Sequence, residues 1–190
     1  MLLLVRHGET AANVDGLLLG RADPPLTDLG RRQARALAAA LPPPARLITS
    51  PLARALETAQ AFDTAAEVDD RWVELDYGDL DLLPVAAVSA DVWARWRGDP
   101  TFAPGGGESL RDLGARVEEA CVEISEAATA SVVVVVTHVS PVKAAIAWTL
   151  GVPHDIAWRM YVEDASVSRI DVGTHGAVLR WFNRHPPPTA

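Results

Sequence analysis

Leu2-Leu3-Leu4-Val5-Arg6-His7 is the stretch that decides the fold. Four consecutive apolar residues without polar alternation are typical of a strand that is buried on both faces of a parallel sheet. A second strand of this kind, Ser131–Thr137, contains five valines and is followed directly by His138. Helical segments alternate with such strands along the chain. The sequence therefore predicts an α/β fold, a three-layer α/β/α sandwich with a mostly parallel central sheet, in which ligands bind beyond the carboxyl ends of the strands.

The remaining elements are predicted from apolar spacing and from the residues that begin and end helices. Ser50 is expected to cap a helix in which Pro51 is the first residue, and Pro141 is expected to open another. Two closing strands joined by a turn form an expected hairpin. The predicted helices are Leu29–Leu41, Leu52–Phe62, Val85–Trp96, Ser109–Ala128 and Pro141–Leu150, and the further strands are Leu47-Ile48, Ser166–Val172 and Ala177–Phe182.

Length and composition predict one globular domain. The chain has 190 residues, of which 49% are hydrophobic, and this is enough for a sizeable core. We expect a single domain over residues 1–184, with an excursion from the sheet at 79–107 that forms a lid over the site. The end of the chain, 185–190, carries three prolines and is expected to be disordered.

Charge and cysteine content exclude several classes of partner. The 17 Lys and Arg against 25 Asp and Glu give a net charge of −8, and no basic run is present, which argues against nucleic acids and anionic membranes as partners. No apolar stretch approaches the roughly 20 residues of a membrane span. The single cysteine, Cys121, allows no internal disulfide and no cysteine-rich zinc site. We therefore expect a cytoplasmic protein.

Three groups of polar residues follow predicted strands and suit phosphoryl transfer. A neutral His7 is nucleophilic, and the neighbouring Arg6 offers fixed donors for phosphate oxygens. Arg54, in the first turn of the helix after Pro51, can make a second bidentate contact with the phosphate oxygens. His138 can donate a further hydrogen bond to them. Phosphoryl transfer depends mostly on positioning and charge neutralisation, so this set needs no metal.

The leaving alkoxide requires a proton, and Glu74 is the candidate general acid. Negative charge on a bound phosphate favours the protonated form of a nearby carboxyl group. Asp76 and Glu9 are the competing candidates.

Leu4-Val5-Arg6-His7-Gly8-Glu9-Thr10, with Asn13 beyond it, resembles the signature of the histidine phosphatase superfamily. The resemblance continues in family order through nearly the whole chain and implies the phosphoglycerate mutase-like fold. The matching blocks are Gly20–Thr27 with Gly30, Ser50–Ala55 with Thr58-Ala59, Glu74 with Tyr77-Gly78, Gly105–Ser109 and Thr137-His138.

The resemblance implies a role for each matching residue. His7 would become phosphohistidine, while Arg6, Arg54 and His138 would bind the phosphoryl group and Glu74 would serve as proton donor. Asn13 would be a further phosphate donor, and backbone groups at Gly20 and Val139 match positions that touch phosphate or substrate. The family implies neither a metal nor a cofactor.

The chain departs from the family pattern at two places. Leu19 stands where the family commonly has a polar residue that contacts the substrate, and 79–84 replaces a common Trp-Glu-Gly run, which affects the local lid geometry. The block from His138 to Lys143 is most similar to the phosphatase branch near α-ribazole phosphatases and actinobacterial acid phosphatase domains. There Ser140 and Lys143 are expected to face substrate, and one of Trp93 or Trp96 to line the pocket.

Three functions fit these residues. The leading hypothesis is a metal-independent phosphatase that acts on a small phosphorylated metabolite through His7. The alternatives are a cofactor-dependent phosphoglycerate mutase, although such mutases are typically longer, and a catalytically silent module that binds a phospho-ligand. The sequence names neither the substrate nor the oligomeric state, and a homodimer is among the assemblies that it allows.

Overall fold

In a computed structural model that describes residues 1–185, a six-stranded sheet lies between two layers of helices. The strands are β1 Leu2–Arg6, β2 Arg46–Thr49, β3 Ala66–Val68, β4 Val133–Thr137, β5 Val167–Gly173 and β6 Gly176–Arg184. The α-helices are α1 Ala11–Val14, α2 Asp28–Ala40, α3 Ala53–Ala59, α4 Ala90–Gly98, α5 Leu110–Ala130 and α6 Val139–Leu150. Short 3₁₀ turns cover Asp70–Trp72, Gly78–Leu80, Val85–Ala87, Pro104–Gly106 and His154–Arg159.

The sheet is mixed and mostly parallel, in the order β3-β2-β4-β1-β5-β6. Strands β1, β2, β3 and β4 run parallel to their neighbours within that group, while β5 pairs antiparallel with both β1 and β6. The predicted closing hairpin is therefore confirmed as β5 and β6. The predicted α/β three-layer fold is confirmed as well.

Successive side chains of the central strands enter two different cores, as expected for strands buried on both faces. Leu2 and Leu4 pack on the side of α5 and α6, whereas Leu3 and Val5 pack on the side of α2 and α3. The valines of β4 alternate in the same way. This two-sided burial explains the continuous apolar runs in the sequence.

Helix starts follow local chemistry, and two predicted starts are wrong. Helix α3 begins at Ala53, and its N-cap is Leu52, which makes no capping hydrogen bond, so Ser50 is not the cap. Helix α6 begins at Val139, before Pro141. A proline is tolerated there because the first N–H groups of a helix have no partner within it.

The excursion after residue 78 contains a shorter helix than predicted. The stretch expected to be helical over 85–96 is a single 3₁₀ turn followed by α4, which starts afresh because the Ser89 hydroxyl accepts the backbone N–H of Val92 at 3.3 Å. The excursion is tied to the segment after α1, since the N–H of Leu18 donates to the carbonyl of Leu83 and the N–H of Leu82 donates to that of Leu18.

Two elements were not predicted. Helix α1 has four residues and is held by a capping box between Thr10 and Asn13. Strand β3 has three exposed residues and therefore lacks an apolar pattern. At the chain end, the Glu163 carboxylate holds His185 at 2.8 Å, and 186–190 of the predicted disordered tail lie outside the described residues. None of the helices described within 1–185 is long and apolar enough to cross a membrane.

Candidate active site

The carboxyl ends of β1, β2 and β4 bring three polar residues together. Arg6 pairs with Thr137 at the end of the β1–β4 ladder, and Thr49 pairs with Val136 at the end of β2. The next residues along each strand are His7, Ser50 and His138. Their common position at one sheet edge is where ligands bind in folds of this type.

His7 is held with one ring nitrogen unprotonated. It is buried, with 2% of its surface exposed, and its Nδ1 lies 2.7 Å from the carbonyl oxygen of Gly8. That carbonyl can only accept, so Nδ1 carries the proton and Nε2 keeps its lone pair. Burial, with the charges of Arg54 and Arg6 adding to it, holds the pKa of His7 well below its ordinary 6.5. The geometry therefore presents a neutral imidazole whose Nε2 carries the lone pair.

Arg54 lies at the centre of the site and is completely buried. Its Nε donates towards His7 Nε2 at 3.3 Å and towards His138 Nδ1 at 3.2 Å. The other two guanidinium nitrogens donate to the carbonyl oxygens of Ala22 and Gly20, each at 2.8 Å. The guanidinium is thus fixed in orientation before any ligand arrives.

His138 faces His7 across Arg54, with the two ring centroids 5.1 Å apart. Because its Nδ1 accepts from Arg54, its Nε2 carries the proton and donates to the Ser50 hydroxyl at 2.7 Å. Burial first, and then the charge of Arg54, lowers its pKa well below 6.5. Ser50, expected to cap a helix, orients this imidazole instead.

Arg6 is held by the loop that precedes β5. Its guanidinium donates to the carbonyl oxygen of Val162 at 2.6 Å and lies 2.6 Å from the Asp164 carboxylate, while its Nε has no acceptor among residues 1–185. Burial raises the pKa of Asp164, and the Arg6 charge opposes this shift. Within the described chain, Arg6 therefore keeps one buried donor without a partner, next to His7.

Glu74 is buried, at 3% exposure, against the start of α6. Its Oε1 accepts the backbone N–H of Leu75 at 2.7 Å and that of Ser140 at 3.1 Å. The side chain is therefore fixed close to the residues that follow His138.

The competing carboxylates make structural contacts. Asp76 accepts the backbone N–H of Gly78 at 2.8 Å, and Glu9 accepts the Thr27 hydroxyl at 2.7 Å.

The structure places the other expected contact residues as follows. The Asn13 side-chain oxygen accepts from the N–H and hydroxyl of Thr10, and its NH₂ group makes no hydrogen bond within 1–185. The N–H of Gly20 donates to Asp81 at 2.8 Å, so in this structure it is engaged by the protein. Val139 is the first residue of α6, where backbone N–H groups point out of the helix.

Asp81 is a residue that sequence reasoning missed. Its two carboxylate oxygens accept the N–H groups of Gly20 and Ala22, at 2.8 and 2.7 Å, and the carbonyls of these same two residues hold Arg54. Asp81 belongs to the stretch in which the chain departs from the family pattern. No local signal marks it, because its partners lie far away in the sequence.

Ser50 and Asp164 were also missed as supports of His138 and Arg6. Ser50 follows a predicted strand directly, as His7 and His138 do. This shared position was the signal that could have placed its hydroxyl beside the histidines. For Asp164 the sequence offers none.

The arrangement is suited to an anionic ligand. Arg54, Arg6 and the start of α6 supply donors around one neutral histidine, and a carboxylic side chain stands at the same edge. Among residues 1–185, no group of three or more His, Cys, Asp or Glu side chains is placed to hold a metal ion.

Comparisons with known proteins agree with this geometry. A bifunctional protein of Mycobacterium tuberculosis is 33% identical over 186 residues, which cover 93% of this chain and 51% of that protein. An adenosylcobalamin/α-ribazole phosphatase of Escherichia coli is 31% identical over 192 residues, covering 96% of this chain and 95% of the enzyme. The solved structure of a mycobacterial glucosyl-3-phosphoglycerate phosphatase in complex with VO3 superposes with a TM-score of 0.85 at 31% identity, covering 96% of this chain and 98% of that one.

The chain spans about half the length of the bifunctional mycobacterial protein but nearly all of the other two. The family model of the histidine phosphatase superfamily (branch 1) matches residues 2–185, which is almost the whole chain. With a central His7 that this geometry leaves neutral, and with the phosphoglycerate mutase-like sandwich around it, the chain belongs to branch 1 of the histidine phosphatase superfamily.

Proposed function

We propose that this chain is a metal-independent phosphatase that hydrolyses a small phosphomonoester through a phosphohistidine at His7. The observation that carries the proposal is the fixed tautomer of this residue: Nδ1 donates to the Gly8 carbonyl, and Nε2 is left unprotonated beside the Arg54 guanidinium. A neutral nitrogen nucleophile next to a fixed cation is what attack on a phosphate dianion requires.

In the first step, His7 Nε2 forms a bond to phosphorus while the bond between phosphorus and the ester oxygen breaks. The departing oxygen takes the proton of the Glu74 carboxyl group, so that an alcohol leaves. Arg54, Arg6 and His138 neutralise charge on the phosphoryl oxygens. His138 stays neutral and donates this hydrogen bond in its other tautomer, with its single proton on Nδ1, while the Ser50 hydroxyl then donates to Nε2.

In the second step, water attacks the phosphohistidine. Glu74, now a carboxylate, takes a proton from that water as the bond between phosphorus and Nε2 breaks, and phosphate and neutral His7 are regenerated. Both steps use one carboxyl group in its two protonation states, so proton and charge balance close over a cycle.

The remaining predicted residues would contact the ligand from the rim. Asn13 can turn its free NH₂ group towards a phosphoryl oxygen, and Val139 offers its backbone N–H. Gly20 already contributes through its carbonyl, which holds Arg54, and its N–H would have to leave Asp81 to reach the ligand. The names of the relatives, an α-ribazole phosphatase and a glucosyl-3-phosphoglycerate phosphatase, support a small phosphorylated metabolite as substrate.

The test is phosphate release from p-nitrophenyl phosphate and a panel of phosphometabolites, in the presence of EDTA. We expect turnover by the wild type and a loss of at least about 10³-fold in kcat for His7→Ala, since the nucleophile is removed. Alkaline-quenched mixing with ³²P-labelled substrate should label the wild type at His7 with a base-stable, acid-labile phosphoryl group.

His175→Ala is the matched control, because His175 is an exposed residue of the β5–β6 turn. It should keep full activity. Near-normal turnover by His7→Ala would refute the assignment. Phosphate release by neither protein, together with mutase turnover after priming with bisphosphoglycerate, would instead assign the chain to the mutases.

A further inference from the structure

A cavity with aromatic walls lies next to Glu74 and has no role in the steps above. It encloses about 100 Å³. Its aromatic wall consists of Tyr77, Trp93, Trp96 and Trp158, and its polar residues are Ser140 and Lys143. Its size is of the order of one ring, since an apolar cavity of about 150 Å³ takes up benzene.

The aromatic wall is a fixed structure. Trp93 and Trp96 of α4 stack with ring centroids 5.3 Å apart and planes 7° apart, and Trp158 meets both edge-on at 6.1 and 5.2 Å. The Arg97 guanidinium lies over the rings of Trp93 and Trp158, at 5.4 and 5.7 Å from their centroids. These contacts tie the excursion to the turn that follows α6 and form an apolar wall of fixed shape.

The cavity adjoins the candidate general acid. The Tyr77 hydroxyl lies 3.5 Å from the Ser140 hydroxyl, and the backbone N–H of Ser140 donates to Glu74. If Glu74 protonates the leaving oxygen, the leaving group must extend from the phosphorus towards Glu74, and this cavity lies on that side, lined by Leu75 and Ser140, which both donate backbone N–H groups to Glu74.

We propose that the cavity is the leaving-group subsite, and that it selects phosphomonoesters whose alcohol carries a flat apolar ring with an anionic or hydrogen-bond-accepting substituent. The inference rests on the proposed function and adds the substrate class to it. A ring of this kind gains both apolar burial and stacking against the indole rings.

The polar part of the proposal comes from Lys143. This residue is half-buried in the cavity wall and makes neither a hydrogen bond nor an ion pair within residues 1–185. Burial lowers the pKa of its ammonium group, while the Glu74 carboxylate acts in the opposite direction. The indole N–H groups of Trp96 and Trp158 also lack acceptors in the described chain. Unpartnered buried donors are rare in folded proteins, and two of those in the described chain belong to residues of this cavity wall.

The test compares 2-phenylethyl phosphate with ethyl phosphate. Both leaving groups are primary alcohols of similar acidity, so the chemical step is matched and the ring is the main difference. We expect the wild type to prefer the phenylethyl ester by at least about tenfold in kcat/KM, which is the discrimination that even one apolar group can give. Trp158→Leu should reduce this preference to within about twofold.

Trp181→Leu is the matched control, since Trp181 packs against the other core, on the side of α2 and α3, and its loss should leave the preference unchanged. The ratio of two kcat/KM values does not depend on the amount of folded enzyme, so a partly unfolded variant still gives a valid result.

For Lys143 the same comparison uses 2-(4-carboxyphenyl)ethyl phosphate against 2-phenylethyl phosphate, and Lys143→Met should abolish a preference for the carboxylated ring.

The outcomes separate the two proposals. Hydrolysis of both esters at equal efficiency, or a preference that Trp158→Leu leaves unchanged, would overturn the subsite while leaving the phosphatase intact. A wild type that prefers the unsubstituted ring would overturn the role of Lys143. If no phosphomonoester is hydrolysed at all, p-nitrophenyl phosphate included, the proposed function itself fails.

Discussion

At the scale of single residues, the sequence predicts which residue types form the site and at which edge of the sheet they lie, but not which hydrogen bonds they make. Strand-end positions placed His7 and His138 at one edge, and the structure brings their rings to 5.1 Å. The sequence does not predict that Arg54 lies between the two rings and that each of its guanidinium nitrogens donates a hydrogen bond. Nor does it predict the hydrogen bond between Ser50 and His138. These contacts join residues from different strands and loops, so no local spacing encodes them.

The proposed role of Glu74 as general acid leads to a prediction about leaving groups. Glu74→Gln should lower kcat/KM for ethyl phosphate by about 10² to 10⁴-fold, because ethoxide cannot leave without a proton. The loss for p-nitrophenyl phosphate should be far smaller, because p-nitrophenolate leaves unprotonated. Steady-state kinetics with both substrates measures this difference, and a burst of p-nitrophenolate would reveal the slowed hydrolysis of the phosphohistidine.

Asp76→Asn and Glu9→Gln serve as controls, since both carboxylates make structural hydrogen bonds. They should affect the two substrates equally. If Asp76→Asn shows the selective loss with ethyl phosphate, Asp76 is the acid. An equal loss with both substrates in Glu74→Gln would show that Glu74 only supports the start of α6 through Ser140.

At the scale of elements, predictions succeeded where the apolar pattern is long and unambiguous, as in the apolar stripe of one helix and the continuous valine run of one strand. Helix α5 and strand β4 were found nearly as predicted. Strand β3 was missed because three exposed residues give no periodicity, and the start of α6 was misjudged because a proline fits any position in the first turn. The excursion was the weakest region, since its order comes from contacts with the segment around Leu18 rather than from its own sequence.

One of those contacts suggests how the excursion affects the site. Asp81 holds the backbone of Gly20 and Ala22, and these residues hold Arg54, so Asp81→Ala should loosen the guanidinium. We expect kcat/KM to fall about 10 to 100-fold, the cost of losing hydrogen bonds to a charged group and displacing the arginine that we propose binds phosphate. The inhibition constant of inorganic phosphate should rise in parallel, which a competition assay measures.

Asp79→Ala is the control, because Asp79 is exposed and makes no side-chain hydrogen bond among the described residues. Asp81→Asn keeps one acceptor oxygen and should lie between the wild type and Asp81→Ala. Phosphate affinity and turnover within about twofold of wild type in Asp81→Ala would show that the segment holds Arg54 without help from the excursion.

At the scale of the whole molecule, the fold was predictable and the strand order was not. Continuous apolar runs require a sheet covered on both faces, and this established the three layers. The order β3-β2-β4-β1-β5-β6 places β4 between two strands that precede it in the chain. This order decides which strand ends are neighbours, and so it brings His138 beside His7.

The site that this topology creates should make the folded protein sensitive to mild acid. His7 and His138 are both fully buried, and burial, reinforced by Arg54, holds their pKa values well below 6.5. The unfolded chain, in which both titrate near 6.5, therefore binds protons that the folded protein does not bind as the pH falls below that value. The free energy of unfolding should decrease between pH 8 and pH 5.5 by at most about 3 kcal/mol, half of it from each histidine, which is the limit in which neither folded imidazole binds a proton.

Urea unfolding followed by circular dichroism at intervals from pH 8 to pH 5.5 measures this decrease. His138→Gln removes one of the two groups and should halve the slope, whatever it does to the stability at pH 8. Burial raises the pKa of Asp164 above 3.8, so protonation of this carboxylate at lower pH stabilises the folded protein and opposes the effect of the histidines. The pH range therefore stops at 5.5. A stability that is flat from pH 8 to 5.5 would mean that the two imidazoles accept protons in the folded state, and the neutral nucleophile inferred for His7 would then be wrong.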